Sequence, residues 1–185
     1  MMSMTMGDMV DIVVLVVLYF AVFYQKWRVK SRDVFLVNTL LYIYLGFVLY
    51  FTLMPIITSL PFIFNHQYVP MNFAPFVDVA AGRGDYARQV ILNVVMTVPF
   101  GILLPLTERH PKFWRTVGWT LLLSLAIELV QPLISNLRTS DITDVITNVL
   151  GGVIGYGVYV VLKPMIDKVL DRISRRVKSK NDIIK

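Results

Sequence analysis

The chain has 185 residues, 56% of them apolar, and a mean hydropathy of +0.66, which is too apolar for an ordinary soluble domain and indicates an integral membrane protein. Its 18 Lys and Arg outnumber 12 Asp and Glu, but the basic residues lie in short stretches between apolar segments, which favours membrane topology over nucleic-acid binding. The absence of cysteine excludes disulfides, thiolate metal sites and a cysteine nucleophile.

Five apolar segments predict membrane-spanning helices, because about 20 apolar residues cross a bilayer as a helix. They are roughly residues 9–24, 34–57, 89–106, 113–133 and 142–162. The first is short and contains Asp11, and four basic residues follow it, which is the reverse of the charge order in a signal peptide. The sequence therefore predicts an all-α bundle of five transmembrane helices whose first helix is an uncleaved anchor.

The third and fifth segments contain residues that alter helix geometry or packing. Pro99 and Pro105 remove backbone donors, so the third helix is expected to be bent or broken. Gly151 and Gly155 in the fifth segment have the spacing of small residues at close helix contacts. A homodimer through this glycine face is one prediction.

The basic residues also predict the orientation in the membrane. The segments after the first, third and fifth spans hold four, three and eight Lys and Arg, whereas the opposite side holds Arg83, Arg88 and Arg138. The positive-inside rule therefore predicts that the N-terminus is outside and the C-terminus is cytoplasmic. We divide the chain into an anchor with a basic loop (1–33), a membrane core (34–162) and a basic tail (163–185), which is predicted to form an amphipathic interfacial helix.

The longest connection, residues 59–88, is predicted to lie outside. It is too rich in aromatic residues and proline for a solvated linker, so we expect it to pack on the bundle or to re-enter the interface. His66 in this connection and His110 lie on opposite sides of the membrane. Neither is predicted to bind a metal or to belong to a catalytic triad.

Seven polar residues in and between the last three spans form the predicted functional centre: Asn93, Glu128, Gln131, Arg138, Asp141, Asp144 and Asn148. Polar groups in hydrocarbon are costly without partners, so they usually face a bundle interior and mark a site. The helical rise predicts that Asn93, Glu128 and Asn148 lie roughly 6–9 Å below the outer ends of their helices. The prediction is an outward-facing pocket in which Arg138 is the counter-charge of the carboxylates.

Several segments of the membrane core resemble the VanZ family of bacterial membrane proteins. The resemblance rests on NVVMTVPFGILL at 93–104, SLAIELVQ at 124–131, Arg138, Asp141, Asp144 and NVLGGVIG at 148–155, in this order. The segment Asn72-Phe73-Ala74-Pro75-Phe76 resembles the N-x-x-P-F segment of that family, which adds Asn72 to the candidate ligand-binding residues. The resemblance covers about residues 50–162 and implies an association with teicoplanin and lipoglycopeptide resistance, without a settled reaction.

Two functions are open at this point. In the first, which we favour, the pocket binds a lipid-linked or cell-envelope ligand and changes the access of glycopeptide drugs to the cell surface. An acidic pocket with one arginine suits a ligand that carries an amine beside a carboxylate or phosphate. In the second, a membrane enzyme acts on a lipid-linked or cell-wall precursor, with Glu128 and Asp144 as acid/base carboxylates. Its weakness is the nucleophile, since neither Ser124 nor Ser140 has a histidine beside it.

The polar residues also have structural explanations. Glu128 paired with Arg138 or Asn93 would stabilise the contact between helices through polar interactions, and Asp141 is better placed than Asp144 to cap the fifth helix.

Carboxylates are the ligands of Mg²⁺ and Ca²⁺, so Asp141 and Asp144 are the candidate ligands of a divalent cation. The candidate ligand-binding residues are Asn72, Asn93, Gln131, Arg138, Asp141 and Asn148.

Overall fold

The computed structural model describes residues 4–63, 69–82, 84–134 and 139–183, with the side chains of the last helix up to Leu170 and that of Arg172. Within these residues the regular structure is helical and contains no strand. The α-helices are α1 (Met6–Leu18), α2 (Gln25–Trp27), α3 (Arg32–Thr52), α4 (Val77–Ala80), α5 (Tyr86–Leu106), α6 (Phe113–Ile134) and α7 (Ile142–Ile183), with a π-helix at Tyr19–Tyr24 and a 3₁₀-helix at Leu60–Phe62.

Five helical stretches are long and apolar enough to cross a membrane, so the predicted number of spans is confirmed by length and composition. They are Met6–Trp27, Arg32–Thr52, Tyr86–Leu106, Phe113–Ile134 and Ile142–Leu170. The first runs from α1 through the π-helix into α2 and is longer at both ends than the predicted residues 9–24. Thr5 and Asp8 form a capping box at its start, with Asp8 accepting from the Thr5 N–H at 2.8 Å.

The prolines inside the helices do not interrupt them. Pro99 and Pro105 lie within the single helix α5, so the third span is not broken, and the bend that was the other predicted outcome stays a prediction. A proline removes one backbone hydrogen bond, and the flanking bonds persist because hydrocarbon offers the backbone no alternative partner. In α6, Pro132 removes the donor for the carbonyl of Glu128, and the Ser140 hydroxyl donates to that carbonyl instead.

The glycines of α7 allow this helix to lie directly against α5 and α6. A Cβ on Gly151 or Gly155 would clash with the backbone of α5, and a Cβ on Gly152 would clash with Thr120 of α6. Close approach of backbones is the usual role of small residues in membrane helices. These three glycines are covered within the chain by α5 and α6, and the homodimer stays a prediction.

A small apolar core and side-chain hydrogen bonds hold α3 against α5 and α6. Val48 and Leu53 are buried with Ile127 of α6. The Tyr44 hydroxyl donates to the carbonyl of Met96 in α5 at 2.7 Å. The C-terminal half of α3 therefore packs on the bundle that α5, α6 and α7 form.

The polar residue of the first span fixes α1 to the segment after α3. The buried Asp11 carboxylate accepts from the N–H groups of Ile56 and Ile57, the latter at 3.0 Å. Gly7 lies so close to this segment that a Cβ on it would be 2.8 Å from the Pro55 Cβ. Asp11 thus has a structural role, because two backbone donors stabilise a carboxylate within an apolar segment.

The basic tail does not begin a new helix. α7 continues through Pro164 to Ile183, so the tail is an extension of the fifth span. Lys163 and Asp167 form an exposed ion pair at 3.0 Å on this extension. The location of the tail at a membrane interface stays a prediction.

Candidate functional site

Hydrogen bonds join the end of α6 to the start of α7. The Ser140 hydroxyl is buried and donates to the Glu128 carbonyl. The Glu128 side chain, 2% exposed, accepts from the Asp141 N–H through Oε2 at 3.0 Å. Asp141 directly precedes α7, and its Oδ1 accepts from the Thr143 N–H at 2.7 Å. This is the geometry of an N-cap, so the predicted capping role of Asp141 is confirmed.

The long connection docks on this junction at Asn72. The Asn72 N–H donates to the Ser140 carbonyl, and the Asn72 carbonyl accepts from the Ile142 N–H, both at 2.9 Å. The Asn72 side chain donates to Oδ2 of Asp141 at 3.1 Å. The prediction that this connection packs on the bundle is therefore confirmed around Asn72.

A cavity of about 450 Å³ lies between the docked connection, α5, α6 and the start of α7. It is lined by Asn72, Phe76, Asp78, Val79, Tyr86, Gln89, Val90, Gln131, Thr139, Asp141, Thr143 and Asp144. Most of these side chains are polar, three are carboxylates, and none of the described lining residues is Lys, Arg or His. Concave sites with a few converging polar groups are the usual form of ligand-binding sites.

Four of the predicted site residues line this cavity: Asn72, Gln131, Asp141 and Asp144. A fifth, Asn93, positions one of them, because its Nδ2 donates to Oδ1 of Asp144 at 2.7 Å. Oδ2 of Asp144 has no hydrogen-bond partner among the described residues. Gln131 is positioned from the other side, since its Nε2 donates to the Thr52 carbonyl of α3 at 3.2 Å.

Two other predicted residues lie off the cavity wall, and one lies outside the described residues. Glu128 is bound at the helix junction. Asn148, also 2% exposed, donates to Ser124 of α6 at 2.9 Å, and its backbone carbonyl accepts from Thr97 of α5 at 2.7 Å. The structure thus places Asn148 between three helices, and its predicted role in ligand binding stays a prediction. Arg138 lies outside the described residues.

Sequence reasoning missed the wall of the cavity that the connection and the start of α5 provide. Phe76, Asp78, Tyr86 and Gln89 come from this stretch. α4 has only four residues, so no periodic pattern could assign a buried face to it. The available signal was an acidic residue, Asp78, two residues after the N-x-x-P-F motif.

The divalent cation that Asp141 and Asp144 were predicted to bind stays a prediction. Within the described ranges no three His, Cys, Asp or Glu side chains are grouped as a metal ion requires. Both carboxylate oxygens of Asp141 accept hydrogen bonds, one from Thr143 and one from Asn72.

The fold and the cavity together define a class: a multi-pass helical membrane protein whose last three spans carry a polar cavity at one end. The chain belongs to the VanZ/LLP1 family, whose sequence model matches residues 41–163. It is 34% identical over 92 residues to Protein VanZ of Enterococcus faecium, a match that covers 50% of this chain and 54% of that protein. The chain therefore spans about half the length of this curated relative. No solved structure matches the chain.

Proposed function

We propose that the cavity faces outward and binds a lipid-linked or cell-envelope ligand, and that the protein thereby contributes to resistance against glycopeptide antibiotics of the teicoplanin type. Membership of the VanZ/LLP1 family and the likeness to Protein VanZ support the link to resistance. The cavity supports the binding role. Ligand binding at the membrane surface would change how a glycopeptide drug reaches its target there.

The observation that carries the proposal is the arrangement around Asp144. This carboxylate lines the cavity, is held by Asn93 through one oxygen, and has its other oxygen unpartnered among the described residues. A carboxylate in an apolar span is costly, so its position beside an open cavity is better explained by ligand recognition than by packing.

The distribution of basic residues supports an outward-facing cavity. The cavity lies at the end of the bundle where α6 ends and α7 begins, and the basic loops lie beyond the opposite ends of these helices. Under the positive-inside rule that opposite end is cytoplasmic. The ligand would then come from the outer leaflet or the cell wall, with membrane lipids around the bundle.

The second hypothesis, a membrane enzyme, gains no specific observation. Its proposed general base, Glu128, is buried and accepts from the Asp141 backbone instead of lining the cavity. A general base must reach the proton that it removes, directly or through one water. Binding is therefore the function that the geometry favours.

The test is a resistance assay in a glycopeptide-susceptible host that expresses the protein. We expect Asp144→Asn to reduce teicoplanin resistance to the level of empty vector, because loss of a charged hydrogen bond costs about 1.5–3 kcal/mol, or roughly tenfold or more in affinity. Asp167→Asn is the matched control, since Asp167 forms an exposed ion pair away from the cavity. Full resistance of Asp144→Asn, at equal amounts in the membrane, would contradict the proposal.

A further inference from the structure

Phe76 has a backbone conformation that phenylalanine rarely adopts. Its φ of 59° and ψ of 13° lie in the left-handed region, and it is the single non-glycine residue with positive φ in the described part of the chain. For residues other than glycine this region is unfavourable, because Cβ crowds the carbonyl oxygen. Glycine would occupy this position without strain.

The surrounding structure holds Phe76 in this conformation. Its N–H donates to the Thr143 hydroxyl of α7 at 3.0 Å. Two residues before it, the Ala74 N–H donates to the side chain of Asn72, which is itself bonded to Asp141. The segment thus has phenylalanine at a position where glycine would adopt the same turn with less backbone strain. Strained residues that persist in this way cluster at functional sites.

Phe76 lines the cavity together with Asp78, Asp141 and Asp144. It remains 39% exposed, so burial in a core does not explain it. An aromatic face attracts a cation, and carboxylates on the same cavity reinforce that attraction. Asp78 already has another interaction, and both carboxylate oxygens of Asp141 accept hydrogen bonds, so Asp144 is the carboxylate best placed to contact a ligand cation.

We propose that Phe76 is a specificity-determining residue whose ring contacts the ligand, and that the group it contacts is an ammonium. This inference rests on the proposed function and names the chemical class of its ligand. In this proposal phenylalanine occupies the strained position because its ring contributes to ligand binding. The ammonium is held between the ring and the Asp144 carboxylate.

Three variants separate the ring from the backbone. Phe76→Ala removes the ring and keeps the strain, Phe76→Gly removes both, and Phe76→Tyr keeps both. We expect Phe76→Gly to unfold about 2–4 °C above Phe76→Ala in detergent. Teicoplanin resistance should be lost in both and retained in Phe76→Tyr. The Tm would then depend on the backbone conformation at residue 76, and resistance would depend on the ring. A residue with only a structural role would not separate the two measurements in this way.

The probe for the ligand class is ethanolamine, with ethylene glycol as an uncharged control at matched ionic strength. Ethanolamine should raise the Tm of the wild type with increasing concentration, and ethylene glycol should not. Loss of the ring should weaken this effect by about threefold to thirtyfold in apparent affinity. Equal shifts from both probes, or no shift from ethanolamine, would overturn the ammonium assignment.

Retained resistance and an unchanged ethanolamine shift in Phe76→Gly would overturn the role of the ring. Asp144→Asn separates this failure from failure of the proposed function. If Phe76→Gly is active and Asp144→Asn is inactive, the inference about Phe76 is wrong while the cavity keeps its function. If both variants are fully resistant, the proposed function itself is wrong.

Discussion

Glu128 has two hydrogen-bond acceptors, its backbone carbonyl and its side-chain carboxylate, and residues near the start of α7 donate to both. Its backbone carbonyl loses its helical donor to Pro132, and the Ser140 hydroxyl replaces that donor. Its side chain accepts from the Asp141 N–H, one of the backbone donors that the start of α7 leaves without a helical partner. Glu128, which the sequence suggests as a candidate general base, therefore links the end of α6 to the start of α7. The cavity residues depend on this junction, because Asp141 belongs to both.

Ser140→Ala should destabilise the protein by about 1–3 kcal/mol, because it removes a buried hydrogen bond to the Glu128 carbonyl. In a Pro132→Ala background the helix regains its own N–H donor for that carbonyl. The penalty of Ser140→Ala should then fall by at least half. Thermal unfolding in detergent of the two single variants and the double variant measures this coupling. Additive effects would show that the serine acts independently of the proline.

At the scale of elements, the contact between α5 and α7 organises the bundle. The two backbones approach so closely at Gly101 and Gly155 that a Cβ on either would clash with the other helix. The same contact sets Asn93 of α5 opposite Asp144 of α7. Helix packing by small residues thus determines which polar side chains meet at the cavity.

Gly155→Ala should destabilise the protein by about 1–3 kcal/mol, since the added methyl group overpacks the contact with α5. Gly157→Ala, two residues along the same helix, is the matched control, because its Cβ would meet nothing within 4 Å. We expect it to be neutral or stabilising by up to about 1 kcal/mol. Tm values measure both changes. If Gly155→Ala instead altered oligomer size without lowering the Tm, the glycine face would be an intermolecular contact.

For the whole molecule, the orientation in the membrane decides which environment the cavity meets. The charge pattern of the loops predicts this orientation, whereas the packing of the helices would be the same whichever side is outside. The structure adds that the connection around Asn72 and the cavity lie at the same end of the bundle. Labelling a residue of that connection therefore reports on the side of the cavity.

Ala81→Cys should react with a membrane-impermeant thiol reagent in intact cells, whereas Ser31→Cys should react only after the membrane is opened. Both positions are exposed, and the absence of native cysteine removes background labelling. Gel-shift labelling of each variant measures this directly. The reverse pattern would place the N-terminus in the cytoplasm and the cavity on the cytoplasmic side.

The class of the fold, the number of spans and several residues of the candidate site could be predicted from the sequence. Apolar length and charge order are properties of consecutive residues, so they predict five spans without knowledge of packing. Gln131, Asp141 and Asp144 could be predicted as candidates because polar residues are rare and costly in or beside such segments, whereas Asn72 came from the resemblance to the N-x-x-P-F segment of the VanZ family. The capping role of Asp141 followed from its place directly before a helix.

The contacts of each polar residue depend on how the helices pack and could not be predicted from the sequence. Glu128 and Asp144 are both acids in apolar spans, yet one is bound inside a helix junction and the other lines the cavity. The cavity also needs Phe76 and Asp78, which come from a connection without periodicity. Their positions depend on hydrogen bonds between residues about 70 apart in the sequence, from Asn72 to Asp141 and from Phe76 to Thr143. Local patterns carry no information about contacts at that separation, because only the packing of α5, α6 and α7 brings the segments together.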